Sequence, residues 1–286
     1  MTMLEAPQTV EMEKPGAPEE ARAAAHRARV VPWAEAFVQR RAQGEKHPVW
    51  DFLFTYYSFS PAKLMKWSAA VFEVGADGWD GPPLSARDVN QARWIVQLCE
   101  NIANKPPRFQ CHGLHEWAMV YKLSAEQVRH SGCRLRLAPE TLASFVESQS
   151  ICCTHHDAYR FFTPEARPLN VVKPRLETRL ELEQGGCLHT NMDLYKWAYK
   201  LWPWIGSDLV AEAFLLAVQA REMDMRASPY DLADLGFVPI AIETEEGRAE
   251  YREMQQAFAE RSAPVRAKLR KAAGRLIEHA GRCDLH

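Results

Sequence analysis

The 286-residue chain has no run approaching the roughly eighteen consecutive apolar residues of a membrane span, so no membrane-crossing helix is expected. Its opening, MTMLEAPQTVEMEKPGAPEE, lacks the basic start and apolar stretch of an export signal, which points to a cytoplasmic protein. Neither sign of charge dominates: 35 Lys and Arg oppose 37 Asp and Glu, so no global field draws a polyanion and any nucleic-acid surface must be a local patch. The seven cysteines are odd in number and irregularly spaced, which argues against a disulfide framework and leaves reduced thiols or metal ligands. HExxH, paired CxxC and internal repeats are also missing, so no single motif names a metal.

What is present suits a globular helical protein, with 47% apolar residues, enough for a large core. Residues 1–28 are rich in Ala, Glu and Pro and are expected to form a disordered tail, leaving 29–286 as a single helical catalytic domain. Trp33, Ala36 and Phe37 suit a helix over 32–43, and the aromatic run PVWDFLFTYYSFS (48–60) reads as core. Ser85 is the expected N-cap of a helix over 86–103, whose Val89, Ala92, Ile95, Val96 and Cys99 share one face. Further helices are expected at 141–148, 157–162, 187–202, 207–225 and 247–280, with 163–185 irregular and Leu135-Arg136-Leu137 an isolated strand. The expected class is therefore mainly α with minor β.

Six of the ten histidines and five of the seven cysteines fall between residues 111 and 189, about twice what a random scatter would put there. They form three motifs: Cys111-His112-Gly-Leu-His115-Glu116-Trp117, Cys152-Cys153-Thr-His155-His156-Asp157, and Cys187-Leu-His189-Thr-Asn-Met-Asp193. In two of them a His and a carboxylate stand four apart, His112 with Glu116 and His189 with Asp193, which on a helix places both on one face. Imidazoles and carboxylates projecting from facing helices build iron, zinc or manganese centres. His112, His155 and His189 are the preferred ligands because each opens or centres a motif; His115 and His156, their neighbours, are weaker ones. Glu116, Asp157 and Asp193 can ligate, orient the imidazoles or act as general base. Cys111, Cys153 and Cys187 would instead make a structural zinc site. No motif for an organic cofactor is seen.

The run Arg221-Glu-Met-Asp-Met-Arg226-Ala-Ser-Pro-Tyr230 ends a helix with alternating charge. It reads either as a salt-bridged helix end or as a binder of polar substrate, with Arg226 as fork donor and Tyr230 as proton donor. Arg266, Lys268, Arg270, Lys271 and Arg275 lie over an apolar stripe near the C-terminus, a solvated face or a basic partner surface. Trp197, Trp202 and Trp204, with Tyr56, Tyr57 and Trp117, supply either core or an aromatic pocket.

The blocks CHGLHEWAMVYK (111–122), CTHHDAYRFFTPEA (153–166), GCLHTNMDLYKWAYKL (186–201), DMRASPYDL (224–232) and IETEEGRAEY (242–251) resemble a bacterial family commonly labelled 3-methyladenine DNA glycosylase. The resemblance spans about 48–270. It implies a hydrolase that takes an alkylated purine out of DNA and cleaves its N-glycosidic bond, with Trp117 and Tyr195 in the base pocket and Glu116 or Asp193 as the carboxylate. The histidine motifs imply a different chemistry, a metal-dependent hydrolase or oxygenase acting on a small molecule. A third reading is a zinc-stabilised helical binding protein.

Overall fold

The computed structural model describes residues 18–75, 78–124, 126–130 and 132–283. Among these the chain is mainly helical, and β structure is limited to two isolated bridges, Leu135 with Tyr230 and Ile151 with Asn170. The helices are, in order, α1 (Glu19–Ala42), α2 (Phe52–Thr55), α3 (Pro61–Met65), α4 (Val71–Val74), α5 (Ala86–Ala103), α6 (Leu114–Ala118) and α7 (Pro139–Ser148). They continue as α8 (His156–Tyr159), α9 (Arg179–Leu182), α10 (Leu188–Met192), α11 (Leu194–Lys200), α12 (Ser207–Arg226) and α13 (Glu245–Cys283). None of the described helices is long and apolar enough to cross a membrane.

The expected helix over 86–103 forms with those bounds, and its cap is reciprocal: Ser85 Oγ accepts from the Asp88 N–H at 3.3 Å while Asp88 Oδ2 accepts from the Ser85 N–H at 3.0 Å. The expected tail needs correcting where it is described. Residues 19–28 belong to α1, which starts well before 32 and runs through Pro32. Glu19 and Glu20 favour its N-terminal dipole, Ala and Arg are strong helix formers, and His26, Arg29 and Val30 are buried, so few large apolar residues were needed. The rest of that tail, 1–17, lies outside the described residues.

Contacts divide the chain into two compact units, each assembled from separate segments, which explains why no linker composition marks a boundary. Of the described residues, the first comprises 18–75, 78–100, 192–218 and 264–283. The 48–60 run packs here as aromatic core: Phe37 stacks on Phe54 at 4.7 Å between centroids, and Tyr57 meets Tyr195 edge-on at 5.2 Å. Most basic residues of the C-terminal stretch are engaged within the unit. Lys268 pairs with Glu212 and Arg270 with Glu100, Arg275 lies 4.1 Å over the Phe72 ring, and Arg266 is buried.

His47 gives this unit a measurable pH dependence. Its Nδ1 accepts the N–H groups of Val49 and Trp50, both at 3.2 Å, and only the neutral ring can do so. Burial and then the Arg40 charge lower its pKa to about 4, against the opposing pull of Asp51. Because the folded pKa lies below the unfolded one, the contribution is complete above about pH 6.5 and is lost as pH falls towards 4. Wild type should lose roughly 1–2 kcal/mol more than His47→Asn between pH 7 and 4.5 in urea titrations, allowing for solvent screening of the partly exposed ring. Parallel pH profiles for the two proteins would refute this.

The second unit comprises Asn101–Asn191 and Gln219–Ala263. Trp117 anchors it: fully buried, its indole N–H donates to the Ala227 carbonyl at 2.9 Å, and its ring meets Phe145 of α7 edge-on. Arg136 ties the Leu135–Tyr230 bridge to Glu243 and to the Ser228 carbonyl. Two glycines permit close backbone approach, since a Cβ at Gly186 would collide with the Arg108 carbonyl and one at Gly247 with that of Ala241.

Candidate metal centre

The site, in the second unit, begins with a reversal of the chain. His112 (φ 42°) and Gly113 (φ 72°) are both left-handed, which costs a non-glycine residue roughly 1 kcal/mol and turns the chain into α6. His112 therefore stands before the helix, and the expected one-face pairing with Glu116 does not form. Instead His112 Nε2 accepts from Arg252 Nη2 at 3.2 Å. The second expected pairing, His189 with Asp193, is divided by a helix end. α10 ends at Met192, and Asp193, at the start of α11, belongs to the first unit, accepting from Tyr57 Oη at 3.0 Å and pairing with Lys196 at 3.3 Å.

The reversal instead aims His115 inward, where its Nε2 lies 2.7 Å from Asp224 Oδ1 on α12. His189 Nε2 on α10 lies 3.7 Å from Asp224 Oδ2. The two rings are perpendicular, with centroids 4.3 Å apart. One donor atom from each of the three residues lies within 4.8 Å of the others, so His115, His189 and Asp224 could hold a metal ion. A metal about 2.1 Å from each donor separates neighbouring donors by about 3.0 Å in an octahedron and about 3.4 Å in a tetrahedron. The 2.7 Å separation, to Asp224 Oδ1, is that of a direct hydrogen bond and would have to widen around an ion, and the 3.7 Å separation runs to the other oxygen, Oδ2.

Charge bookkeeping leads to the same place. Arg221 Nη1 donates to Asp224 Oδ2 at 2.9 Å and to Glu116 Oε1 at 3.2 Å, with all three groups buried. Two carboxylates thus share one guanidinium, and with neutral imidazoles the cluster carries one negative charge. Burial and then the Asp224 charge raise the Glu116 pKa, against Arg221 and His115. Burial would raise Asp224 too, but His115, His189 and Arg221 hold it well below the usual carboxylate range. His115 is raised, because Asp224 outweighs the cost of burying its charge. A proton shared by Glu116 and Asp224, a proton on His115 or a metal cation would each offset the cluster's negative charge.

Nearby, the Tyr251 hydroxyl is buried with no hydrogen-bond partner. Burial and then Cys111, Asp224, Cys187 and Glu116 push its phenol well up, so it is a neutral donor beside the same cluster. His155 lies one layer away, its ring 5.6 Å from that of His189. His155 Nδ1 caps α8 by accepting from the Ala158 N–H at 3.3 Å, while its Nε2 lies 3.8 Å from Glu183. Arg179 links Glu183 (2.6 Å) to Asp157 (3.3 Å), so His155 and Asp157 belong to a buried ionic layer, and the half-buried His156 lies 3.3 Å from Asp157.

A cavity of about 560 Å³ opens over His115 and His189, its wall including Cys111, Cys152, Cys153 and Cys187. Burial raises all four thiols, Cys152 to about 11 and Cys187 to about 12, so at neutral pH they are apolar lining, not thiolates.

The structure thus brings together His115, Glu116 and His189, with His112 on the cavity wall. Arg221 and Asp224 join them from the helix end that read as salt-bridged or substrate-binding. Several other expected residues stand elsewhere. Tyr195 is fully buried in the first unit's aromatic core, and Trp117 is sealed in the second unit, so neither presents a face to a base. Tyr230 is buried against His130, with its phenol pushed up, and Arg226 donates to the Val238 carbonyl at 2.8 Å. Neither of these lines the cavity. The chain matches no protein-family model, no curated protein and no solved structure.

Proposed function

We propose that this chain is a metal-dependent enzyme acting on a small molecule, with iron, zinc or manganese held by His115, His189 and Asp224 at the base of the cavity. The observation that carries the reading is the convergence of two imidazoles and one carboxylate, with both imidazoles lining a cavity of about 560 Å³. Imidazole and carboxylate donors suit these three metals, and two His with one carboxylate would leave coordination positions open for water or substrate. The metal would supply Lewis acidity there. Arg221 would fix the second oxygen of Asp224, as outer partners of metal ligands do, and Glu116 would hold Arg221 in place.

The glycosidic-bond chemistry implied by the resemblance draws less support. Of its named residues only Glu116 stands in the cluster, and there it is bound to Arg221. Elemental analysis after expression in metal-supplemented medium tests the proposal. About one equivalent of iron, zinc or manganese, absent from His189→Ala, is the expected result, and metal-free wild type with full turnover would refute it.

A further inference from the structure

Taking this cavity as the active site, we propose that its substrate is a small organic anion with an apolar body, whose negative group is bound by Arg248 and Arg108. Among the described residues the cavity wall carries no aspartate or glutamate, and apart from histidines its charged side chains are these two arginines. No carboxylate pairs with either among the described residues. Arg248 gives one N–H to the Ile242 carbonyl at 3.0 Å, which steadies the side chain and leaves the rest of the fork for a ligand.

The surroundings keep this rim positive. Arg248 sits in the first turn of α13, where the helix dipole is positive, and the two acidic residues of that turn, Glu245 and Glu246, are exposed. One turn further on, Arg252 donates to His112, which itself lines the cavity. Burial and then Arg252 and Arg248 lower the His112 pKa, so this ring accepts a bond without adding charge. Leu114, Leu188, Val171, Val172 and the neutral thiols give the same cavity an apolar lining, interrupted by uncharged polar side chains such as Gln110, Gln149 and Thr154. A planar carboxylate matches the arginine fork, a phosphate ester satisfies the same donors, and a cation would face two guanidinium groups. The volume suits a ligand of metabolite size.

The test uses the EDTA-treated full chain, so it reads anion binding apart from metal. Benzoate, phenyl phosphate, benzyl alcohol and benzylamine are titrated by calorimetry into wild type, Arg248→Gln, Arg108→Gln and His189→Ala. At least one of the two anions should bind about tenfold or more tightly than benzyl alcohol, and benzylamine least well. That preference should be lost in Arg248→Gln, weakened in Arg108→Gln and by added NaCl, and kept in His189→Ala. Preference for benzoate identifies a carboxylate substrate, and preference for phenyl phosphate a phosphate ester. Equal binding of benzyl alcohol, or a preference unchanged in both arginine variants, overturns the proposal. Should Arg248→Gln fail to fold, Arg108→Gln and the salt series decide. His189→Ala that loses metal and keeps the anion preference supports both readings, whereas loss of the preference alone leaves the metal centre standing.

Discussion

Arg221→Met should lower the stability of the protein by about 3–5 kcal/mol, the usual cost of breaking a buried ion pair from one side. Methionine replaces most of the apolar stem, so packing changes little. What disappears is the guanidinium shared by Glu116 and Asp224, both buried. Two carboxylates then face each other beside His115, and Glu116, whose pKa burial and Asp224 already raise, takes up a proton more readily. The loss should accordingly be largest at alkaline pH and shrink as Glu116 is protonated. A divalent cation restores part of it, because the ion replaces the missing positive charge. Urea titrations of wild type and variant, with and without manganese, read all three effects. A loss below about 1 kcal/mol, or no response to pH or manganese, would mean that the cluster is not held together by charge.

The second large effect falls on metal affinity. Asp224→Asn keeps the size of the side chain and its place between His115 and Arg221, but it removes the charge and one good ligand oxygen. Loss of an outer partner typically weakens metal binding 10–100-fold, and loss of a ligand should exceed that, so a drop of about a hundredfold or more is expected for zinc or manganese. Turnover at limiting metal falls in step. Stability should fall far less than in Arg221→Met, because Arg221 keeps Glu116 as its partner. Calorimetric titration separates the two outcomes: unchanged affinity in Asp224→Asn would remove Asp224 from the ligand set. His115→Asn serves as the companion variant, because His115 is the donor closest to Asp224.

Much of the helical frame was legible in the sequence because it rests on local rules. α5 has its cap, its apolar face and its bounds written within twenty residues, and α12 has its stripe of Leu209, Ala213, Leu216, Ala217 and Ala220. The site was legible only in part, because its geometry is set by breaks in the helices. The left-handed pair His112-Gly113 cannot be anticipated from spacing, yet it exchanges the roles of His112 and His115. The interruption at Asp193 likewise hands that carboxylate to the first unit's aromatic core.

One signal did exist for the missing ligand. Continuing the α12 stripe from Ala213, Ala217 and Ala220 by one turn arrives at Asp224, and from Ala217 by four residues at Arg221. A charge on the buried stripe of a helix demands a partner, and here that demand pointed to the site. Its partner His115 lies 109 residues earlier in the chain, and no local pattern could have supplied that pairing.

The most decisive measurement is the anomalous scattering from crystals of the manganese- or zinc-loaded protein, with data collected on either side of the metal edge. A single strong peak about 2.0–2.2 Å from an imidazole nitrogen of His115, one of His189 and an Asp224 oxygen is the predicted result. No peak at that position, or one among Cys111, Cys153 and Cys187 instead, would contradict a His/carboxylate centre in this protein.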